Sequence, residues 1–266
     1  APTAGVLIQD NVVEDVNRSG IWVSGTGQDP RPPAGTAWPS ASKGVVIRGN
    51  TVMRAGGDGI VPTGTGGAVV ADNVVCCSNL RGNFPNQFDA GIWTFNSNGT
   101  VIEGNEVYGM RGGTADGTGY DIDYNQDATI VQDNYGHDNA GGFMLLCTDD
   151  EPHRTAEVRF NLSVDEYVFN QSPCKVQSGE VGTLTGLRVY NNTFLTPSSL
   201  IWNDTGVPLP TLPQAGDFTF LNNTLYATQQ QDSPFPCGSY CSHNLFFDMP
   251  PSGTDAVVGD PLFVDG

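Results

Sequence analysis

The sequence is poor in basic residues. Lys and Arg together number 11, against 29 Asp and Glu, and the formal net charge at pH 7 is -18. Nucleic acids and anionic membrane surfaces repel a chain of this charge unless a local basic patch overrides it. A polyanionic substrate would need a bridging cation. We therefore expect no nucleic-acid partner and no membrane partner.

Long apolar runs and zinc-type cysteine pairs are also missing. No run approaches the roughly 20 residues that cross a bilayer, and no signal-peptide pattern precedes Ala1, which predicts a soluble, mature chain. The six cysteines contain no Cys-x-x-Cys pair. An even set of this kind favours an oxidising compartment. The protein is therefore predicted to be secreted.

What the sequence does contain is an internal repeat. A β-branched triplet is followed by Asn and an apolar pair in GVLIQDNVV (5–13), GVVIRGNTV (44–52), GAVVADNVV (67–75) and weaker later copies. Such a repeat, with Gly at the turns, is typical of a solenoid of short strands in which equivalent residues stack. The stacked amides would hydrogen-bond to one another. The anchor residues, spaced 21 to 39 positions apart, are Asn11, Asn50, Asn73, Asn105, Asn134, Asn161, Asn192, Asn223 and Asn244.

This repeat resembles the right-handed parallel β-helix superfamily, which includes pectate lyases and polygalacturonases. The resemblance covers nearly the whole chain and implies an all-β fold, a single-stranded right-handed parallel β-helix of about nine coils, as one domain over 1–266. The segment YDIDYN to GGFMLLC (120–147) is also similar to secreted bacterial β-helix glycoside hydrolases.

The two ends of the chain depart from that family. Its members usually begin with a capping helix, whereas the first coil here begins by Gly5, and VVGDPLFVDG (257–266) is similar to a segment that normally continues. Uncapped coil ends expose strand edges. We therefore expect a longer protein, or a further domain or second chain against these ends.

A second strand follows each asparagine strand. Side chains alternate in direction along a strand, so one set of residues is predicted to point inward, namely Ile21, Ile60, Ile92, Ile122, Phe143, Val168 and Ile201. The residues predicted to point outward are Trp22, Val61, Trp93, Asp123, Met144, Phe169 and Trp202. Stacked tryptophans on an outer face are typical of a sugar-binding platform, and a secondary core beneath loops is the alternative.

The strand DIDYNQ (121–126) brings acid into this outer column. Asp121 and Asp123 are two residues apart, so their side chains lie on one face with Cα atoms about 6.5 to 7 Å apart. Two neighbouring carboxylates repel, which drives their pKa values apart and can supply an acid and a base or nucleophile for glycosidic cleavage. A calcium site or a solvated strand edge is the alternative.

Further candidates flank these two aspartates. His137 is predicted as a third catalytic group that orients a carboxylate or protonates a leaving group, although a solvated turn histidine is the alternative. Asp58 and Asp89 precede the glycines that open their strands. The candidates for substrate binding are Trp22, Trp93, Trp202, Asp89, Tyr124, Asp149, Asp150, His153 and Arg154, with a surface ion pair as the alternative for the last two.

The cysteine positions suggest two pairs. Cys147 and Cys174 are separated by the same 27 residues as Asn134 and Asn161, so they should stack on adjacent coils within disulfide reach. Cys237 and Cys241 flank a tight turn and form a second candidate pair. The adjacent Cys76 and Cys77 are expected to fill the interior as small apolar residues, because an unstrained bond between neighbours is difficult.

Three functions remain open from the sequence. The leading hypothesis is a secreted glycoside hydrolase that cleaves a neutral poly- or oligosaccharide with Asp121 and Asp123 and requires no cofactor. The alternative is a calcium-dependent polysaccharide lyase or uronate epimerase. With only two lysines, its base would be Tyr124, His137 or Arg111. The third is a non-catalytic glycan-binding or adhesin module.

Overall fold

Parallel strands make up nearly all the secondary structure of the computed structural model. It has four sheets and a single 3-10 helix, Gly238–Tyr240, among the residues it describes. Those residues are 3–25, 42–81, 89–112, 116–123, 126–149, 155–175, 186–203 and 218–264, without the side chains of 146–149, 171–175 and 202–203. No helix within these described ranges is long and apolar enough to cross a bilayer. The predicted all-β parallel β-helix is confirmed.

Two of the sheets contain the asparagine repeat, one on each side of the asparagine turn. Sheet 1 consists of β1 (Leu7–Gln9), β5 (Val46–Arg48), β9 (Val69–Ala71), β13 (Val101–Glu103), β17 (Thr129–Gln132), β20 (Ala156–Arg159), β23 (Leu187–Tyr190), β26 (Phe218–Leu221) and β28 (Cys241–Ser242). Sheet 2 consists of β2 (Val12–Glu14), β6 (Thr51–Met53), β10 (Val74–Cys76), β14 (Glu106–Tyr108), β18 (Tyr135–His137), β21 (Leu162–Val164), β24 (Thr193–Thr196), β27 (Thr224–Ala227), β29 (Leu245–Phe247) and β30 (Val257–Val258).

The other two sheets close the coil. Sheet 3 consists of β3 (Ile21–Ser24), β7 (Ile60–Thr63), β11 (Ile92–Thr94), β15 (Tyr120–Ile122), β19 (Met144–Asp149), β22 (Phe169–Lys175) and β25 (Trp202–Asn203). Sheet 4 consists of β4 (Ser42–Lys43), β8 (Thr65–Gly66), β12 (Ser97–Asn98) and β16 (Gln126–Asp127). Alternate residues of the strands point to the axis and fill it with Val, Ile, Leu and Phe side chains.

The predicted asparagine ladder runs through all nine anchor residues. In each step the side-chain oxygen of one Asn accepts from the backbone and side-chain nitrogens of the Asn in the preceding coil. Asn50, for example, donates to Asn73 Oδ1 from its backbone N and from Nδ2, both at 2.9 Å. The residue before each Asn has a left-handed conformation, as Asp72 does with φ 54°. This turn lets the amide point inward, so the ladder satisfies the buried polar groups at the bend.

A second polar ladder ends on a buried glutamate. Asn139 Oδ1 accepts from the backbone N of Met110 at 3.0 Å, and Asn139 Nδ2 donates to Glu166 Oε2 at 2.7 Å. Ser163 Oγ donates to the other oxygen of Glu166 at 2.9 Å. Burial raises the pKa of Glu166 to about 8, while these hydrogen bonds oppose the shift. Glu166 therefore keeps its proton at neutral pH.

The cysteine predictions have different outcomes. Cys237 and Cys241 form a disulfide across the 3-10 turn, with Cα atoms 5.4 Å apart. Cys147 and Cys174 lie on the paired strands β19 and β22. Their side chains are outside the described part of the structure, so that pairing stays a prediction.

Candidate active site

The outer face of sheet 3 carries the aromatic and acidic residues that the sequence singled out. The paired strands place one outward residue from each coil in a single column along this face. For example, Ile60 pairs with Ile92, and the residues that follow them, Val61 and Trp93, are therefore neighbours that point outward. From the first strand to the last, the members of the column are Trp22, Val61, Trp93, Asp121, Leu145, Asn170 and Trp202.

The acidic strand enters this column in a different register from the predicted one. Tyr120 pairs with Ile92, so Asp121, and not Asp123, lies directly beside Trp93 on the next coil. Tyr120 fits the inward position because its ring is buried and its single hydroxyl proton is shared between two backbone carbonyls, at 2.9 and 3.0 Å. A tyrosine therefore replaces the isoleucine on which the sequence alignment relied.

The predicted outward direction is also wrong for two side chains. Met144 and Phe169 lie in the hydrophobic core, together with Phe143 and Val168 that precede them. Phe143 and Val168 lie at a bend just before their strands, so each is buried together with the first residue of the strand. The alternation of inward and outward side chains begins only within the strand. The outward position belongs to the next residue of each strand.

Both predicted catalytic aspartates follow the outward alternation. Asp121 stands between the core residues Tyr120 and Ile122, so its side chain points away from the axis. Asp123 is two residues further on, and its backbone N donates to Thr94 O at 3.1 Å. The residues are only 3% and 9% exposed, respectively. The two carboxyl groups are therefore largely shielded from water on the outer face of the coil.

An aromatic cluster lies next to Asp121. Trp93 stacks on Phe95 with ring centroids 5.2 Å apart, and Trp22 meets Trp93 edge-on at 6.1 Å. Trp93 is 8% exposed and packs with Val61 and Ala90, whereas Trp22 is 43% exposed. Each interpretation of the tryptophans thus fits a different residue. Trp93 belongs to a small secondary core, and Trp22 is an open apolar surface above it.

A charged network fixes the ring of Trp93 from below. Trp93 Nε1 donates to Asp58 Oδ1 at 2.8 Å, and Ser19 Oγ donates to Asp58 Oδ2 at 2.7 Å. Arg18 forms an ion pair with Asp89 at 2.7 Å and approaches Asp58 at 3.6 Å. The two aspartates share one partly exposed guanidinium. This arrangement neutralises one of two buried negative charges and holds the indole in place.

Asp89 has an unusual environment. Burial and the neighbouring Asp58 carboxylate raise the pKa of Asp89 to about 7, against the opposing effect of Arg18. Its second oxygen is buried, and no donor in the described part of the chain lies in hydrogen-bond geometry with it. Gly57 makes the close packing possible, because a Cβ atom there would lie 2.8 Å from Asp89 Oδ1. Asp89 has no exposed surface, and its contact with a substrate stays a prediction.

The structure does not bring His137 to the aspartates. His137 lies on β18 of sheet 2, whereas Asp121 lies on sheet 3. The imidazole stacks on Tyr108 and Tyr135 at 4.7 and 4.6 Å and contacts the carboxylate of Asp138 at 2.8 Å. These contacts account for His137 as part of a surface aromatic stack. The predicted catalytic role beside Asp121 is therefore not supported.

Several predicted substrate-binding residues lie outside the described residues. They are Tyr124, Asp150, His153 and Arg154. Asp149 and Trp202 have a described backbone, on β19 and β25, but no described side chain. Among the described residues, no group of three His, Cys, Asp or Glu side chains is arranged to hold a metal ion.

Sequence reasoning missed Arg18 and Phe95. Arg18 lies 40 residues from Asp58 and 71 from Asp89, so no local motif connects it with them. Phe95 offered a clearer signal, because it lies two residues after Trp93 and strand alternation puts both on one face.

Comparison with known proteins agrees with this architecture. The chain is 28% identical over 209 residues to a lacto-N-biosidase of Bifidobacterium longum subsp. longum, a match that covers 71% of the chain and 12% of that protein. Among solved structures, the GH136 lacto-N-biosidase from Eubacterium ramulus superposes with a TM-score of 0.54 at 22% identity, over 71% of this chain and 29% of that one. The tailspike protein of E. coli bacteriophage HK620, solved in complex with pentasaccharide, superposes with a TM-score of 0.51 at 12% identity, over 96% and 53% of the two chains.

The family is shown by a family-model match over more than half of the chain. The family model described as "right handed beta helix region" matches residues 1–194, and the parallel sheets and asparagine ladder of this structure have the architecture that this description names. The chain belongs to the right-handed β-helix family.

Proposed function

We propose that this chain is the β-helical part of a secreted glycoside hydrolase that cleaves an oligosaccharide on the outer face of sheet 3. One observation carries the proposal. Two shielded carboxyl groups, Asp121 and Asp123, lie on that face, and Asp121 is the direct strand neighbour of Trp93. Glycoside hydrolases typically use two carboxyl groups, one as acid and the other as nucleophile or base.

The aromatic cluster supplies the binding surface in this proposal. The indole of Trp22 is exposed, and the apolar C–H face of a sugar ring can pack on it. Trp93 supports Trp22 edge-on and is itself held by Asp58. A platform fixed in this way loses little side-chain entropy when a sugar binds. The sugar would then lie beside Asp121.

The substrate in this proposal is an uncharged glycan. The net charge of -18 and the four aspartates around Trp93 disfavour a polyuronate. The lacto-N-biosidase relatives suggest a lacto-N-bioside as the first substrate to test. Secretion is part of the proposal, and the Cys237–Cys241 disulfide supports it because such bonds persist in oxidising compartments.

The test is turnover of a chromogenic lacto-N-bioside, followed by a panel of neutral oligosaccharides, with product analysis by mass spectrometry. We expect hydrolysis by the wild-type chain and a loss of at least about 100-fold in kcat/KM for Asp121→Asn and Asp123→Asn. Asp72→Asn is the matched control, since Asp72 lies on an exposed turn in a conformation that asparagine also adopts. Equal activity in all three variants would contradict the proposed roles.

A non-catalytic glycan-binding module is the second candidate. It is favoured by the length of the match, because the chain spans only 12% of the Bifidobacterium longum relative and a catalytic residue can lie elsewhere in a longer protein. Calorimetric titration with the same oligosaccharides distinguishes the two. Binding without turnover, lost in Trp22→Ala and retained in Asp121→Asn, identifies a binding module.

A further inference from the structure

The turn after β10 holds two adjacent cysteines that play no part in the proposed site. Cys76 is the last residue of β10 and is 4% exposed, and Cys77 follows it in the turn. Neither belongs to the Cys237–Cys241 disulfide, and both are free thiols in the structure. Their sulfur atoms lie 2.7 Å apart. Non-bonded sulfur atoms do not approach so closely, although a disulfide bond is shorter still, at about 2.05 Å.

The internal repeat shows that the backbone does not favour a cysteine at position 77. The residue that follows each neighbouring strand of sheet 2 is left-handed, and Asp15, Arg54, Gly109 and Asp138 have φ between 54° and 63°. Cys77 occupies the same position with φ 57°. For residues other than Gly, Asn and Asp, a left-handed conformation costs about 1 to 2 kcal/mol. Cys77 therefore adopts this conformation at a cost, as Arg54 does in the same column.

Two arginines, Arg54 and Arg111, act electrostatically on Cys77 but do not outweigh the burial of its thiol. Cys76 lies between Met53 and Tyr108 on the neighbouring strands. Burial and the neighbouring Cys76 raise the pKa of Cys77 to about 11. In the reduced protein, the Cys77 thiol therefore stays protonated and is held against the sulfur of Cys76. A covalent bond between the sulfurs removes that crowding.

We propose that Cys76 and Cys77 form a vicinal disulfide in the oxidised protein, and that a reductant opens it before the Cys237–Cys241 bond. Adjacent Cα atoms are about 3.8 Å apart, which is below the usual range of roughly 4.4 to 6.8 Å for a disulfide. Cys237 and Cys241, at 5.4 Å, lie within that range. A strained disulfide is the more readily reduced one.

The oxidant in this reaction is a small-molecule disulfide. The thiolate of one cysteine attacks a sulfur of the oxidant, forms a mixed disulfide and releases one thiolate. The thiolate of the second cysteine then attacks the protein sulfur of the mixed disulfide and releases the other. The two protons lost by the cysteines leave on two small-molecule thiols, so that oxidant and protein exchange two electrons.

Trypsin isolates the two bonds for the test. The peptide from Ala55 to Arg81 contains Cys76 and Cys77 and no other cysteine, and the peptide from Val189 to Gly266 contains Cys237 and Cys241 alone. The full chain is folded with oxidised glutathione, denatured, alkylated with iodoacetamide without reductant, and digested. We expect an unalkylated peptide 55–81 that is lighter than the dithiol by two hydrogen atoms. Two alkyl groups, or bound glutathione, on that peptide overturn the proposal if the Cys237–Cys241 bond has formed.

A reductant titration of the folded protein tests lability. Peptide 55–81 should become alkylated at a dithiothreitol concentration at least about tenfold below that needed for peptide 189–266. The reverse order contradicts the proposed strain.

Cys77→Asp provides a control variant that the fold should accept, because Asp15 and Asp138 already occupy the equivalent turn. Phenylarsine oxide, which is held by two adjacent thiols, should bind the reduced wild-type protein at least about tenfold more tightly than it binds reduced Cys77→Asp. Equal binding would show that the two sulfurs do not act as a pair.

Discussion

The interior asparagine ladder and the outer face of sheet 3 differ in how they use the repeat. Inside, every coil places the same residue at the same bend, and each amide bonds to the next. Outside, Trp22, Val61, Trp93 and Asp121 follow one another in register, and no two neighbours are alike. Repetition specifies the scaffold, whereas departures from repetition mark the surface that we propose as the binding site.

The largest expected effect comes from breaking the ladder in its middle. Asn105 is buried, donates to two backbone carbonyls and to Asn134 Oδ1, and accepts from Asn73. Asn105→Leu leaves these groups buried without partners, at a cost of about 3 to 5 kcal/mol in the free energy of unfolding. Urea unfolding followed by circular dichroism measures this loss.

The matched control lies at the first step of the same ladder. Asn11 is exposed to water, which can replace the bonds that Asn11→Leu removes. We expect a loss of about 1 kcal/mol or less. Equal losses at the two positions would contradict a ladder that depends on burial.

The second effect concerns the charge inside the coil. Because the pKa of Glu166 is raised from its ordinary 4.5 to about 8, the folded state holds a proton that the unfolded state has released. The stability from Glu166 is complete below pH 4.5 and is lost as the pH rises through about 8. Each pH unit in this window lowers the free energy of unfolding by up to about 1.4 kcal/mol.

Glu166→Gln should remove this pH dependence. The amide oxygen of the glutamine can accept from Asn139, and its NH2 group can take the place of Oε1 beside Ser163, whose hydroxyl then accepts instead of donating. Urea unfolding at several pH values between about 5 and 8 should give a flatter profile for the variant. Glu103→Gln on the partly exposed surface is the control and should keep the wild-type slope. If the free energy of unfolding of Glu166→Gln still fell with pH as in the wild type, Glu166 would not be the source of the pH dependence.

A third, smaller effect should appear in the fluorescence of Trp93. The pKa of Asp89 is raised from 3.8 to about 7, so the Asp58 and Asp89 pair loses a proton near neutral pH. Asp58 accepts from the indole N–H, so the emission of Trp93 should change with an apparent midpoint near pH 7. The change should vanish in Trp93→Phe and in Asp89→Asn. A transition that survives in Asp89→Asn would assign the titration to another group.

The smallest effect is expected at a surface ion pair. Arg54 contacts Glu14 and Asp15 at 2.7 and 2.8 Å, but all three side chains are well exposed. Water and salt screen such pairs. Arg54→Ala should leave the urea unfolding curve unchanged within experimental error. A clear loss would mean that outer charges contribute to the scaffold as the ladder does.

The scaffold could be predicted from the sequence because each coil repeats the same physical requirement. The residue before the bend adopts a left-handed conformation, the Asn caps the bend, and apolar residues fill the axis. Nine copies of that arrangement fixed the ladder residue by residue, including its uneven spacing.

The register of the outer face could not be predicted in the same way. Tyr120 takes the place of an isoleucine only because its hydroxyl reaches two carbonyls of neighbouring coils. Phe143 and Met144 are both inward because of a corner that strand alternation does not describe. The partnership of Arg18 with Asp58 and Asp89 depends on coil lengths that bring distant residues together. Each of these features depends on tertiary geometry.

The most direct test of the account is the hydrolysis of a chromogenic lacto-N-bioside by the wild-type chain, by Asp121→Asn and by the control Asp72→Asn. The account predicts turnover by the wild type and the control, with a loss of at least about 100-fold in Asp121→Asn while its unfolding curve stays cooperative. Full activity in Asp121→Asn would show that the outer face of sheet 3 does not perform the chemistry.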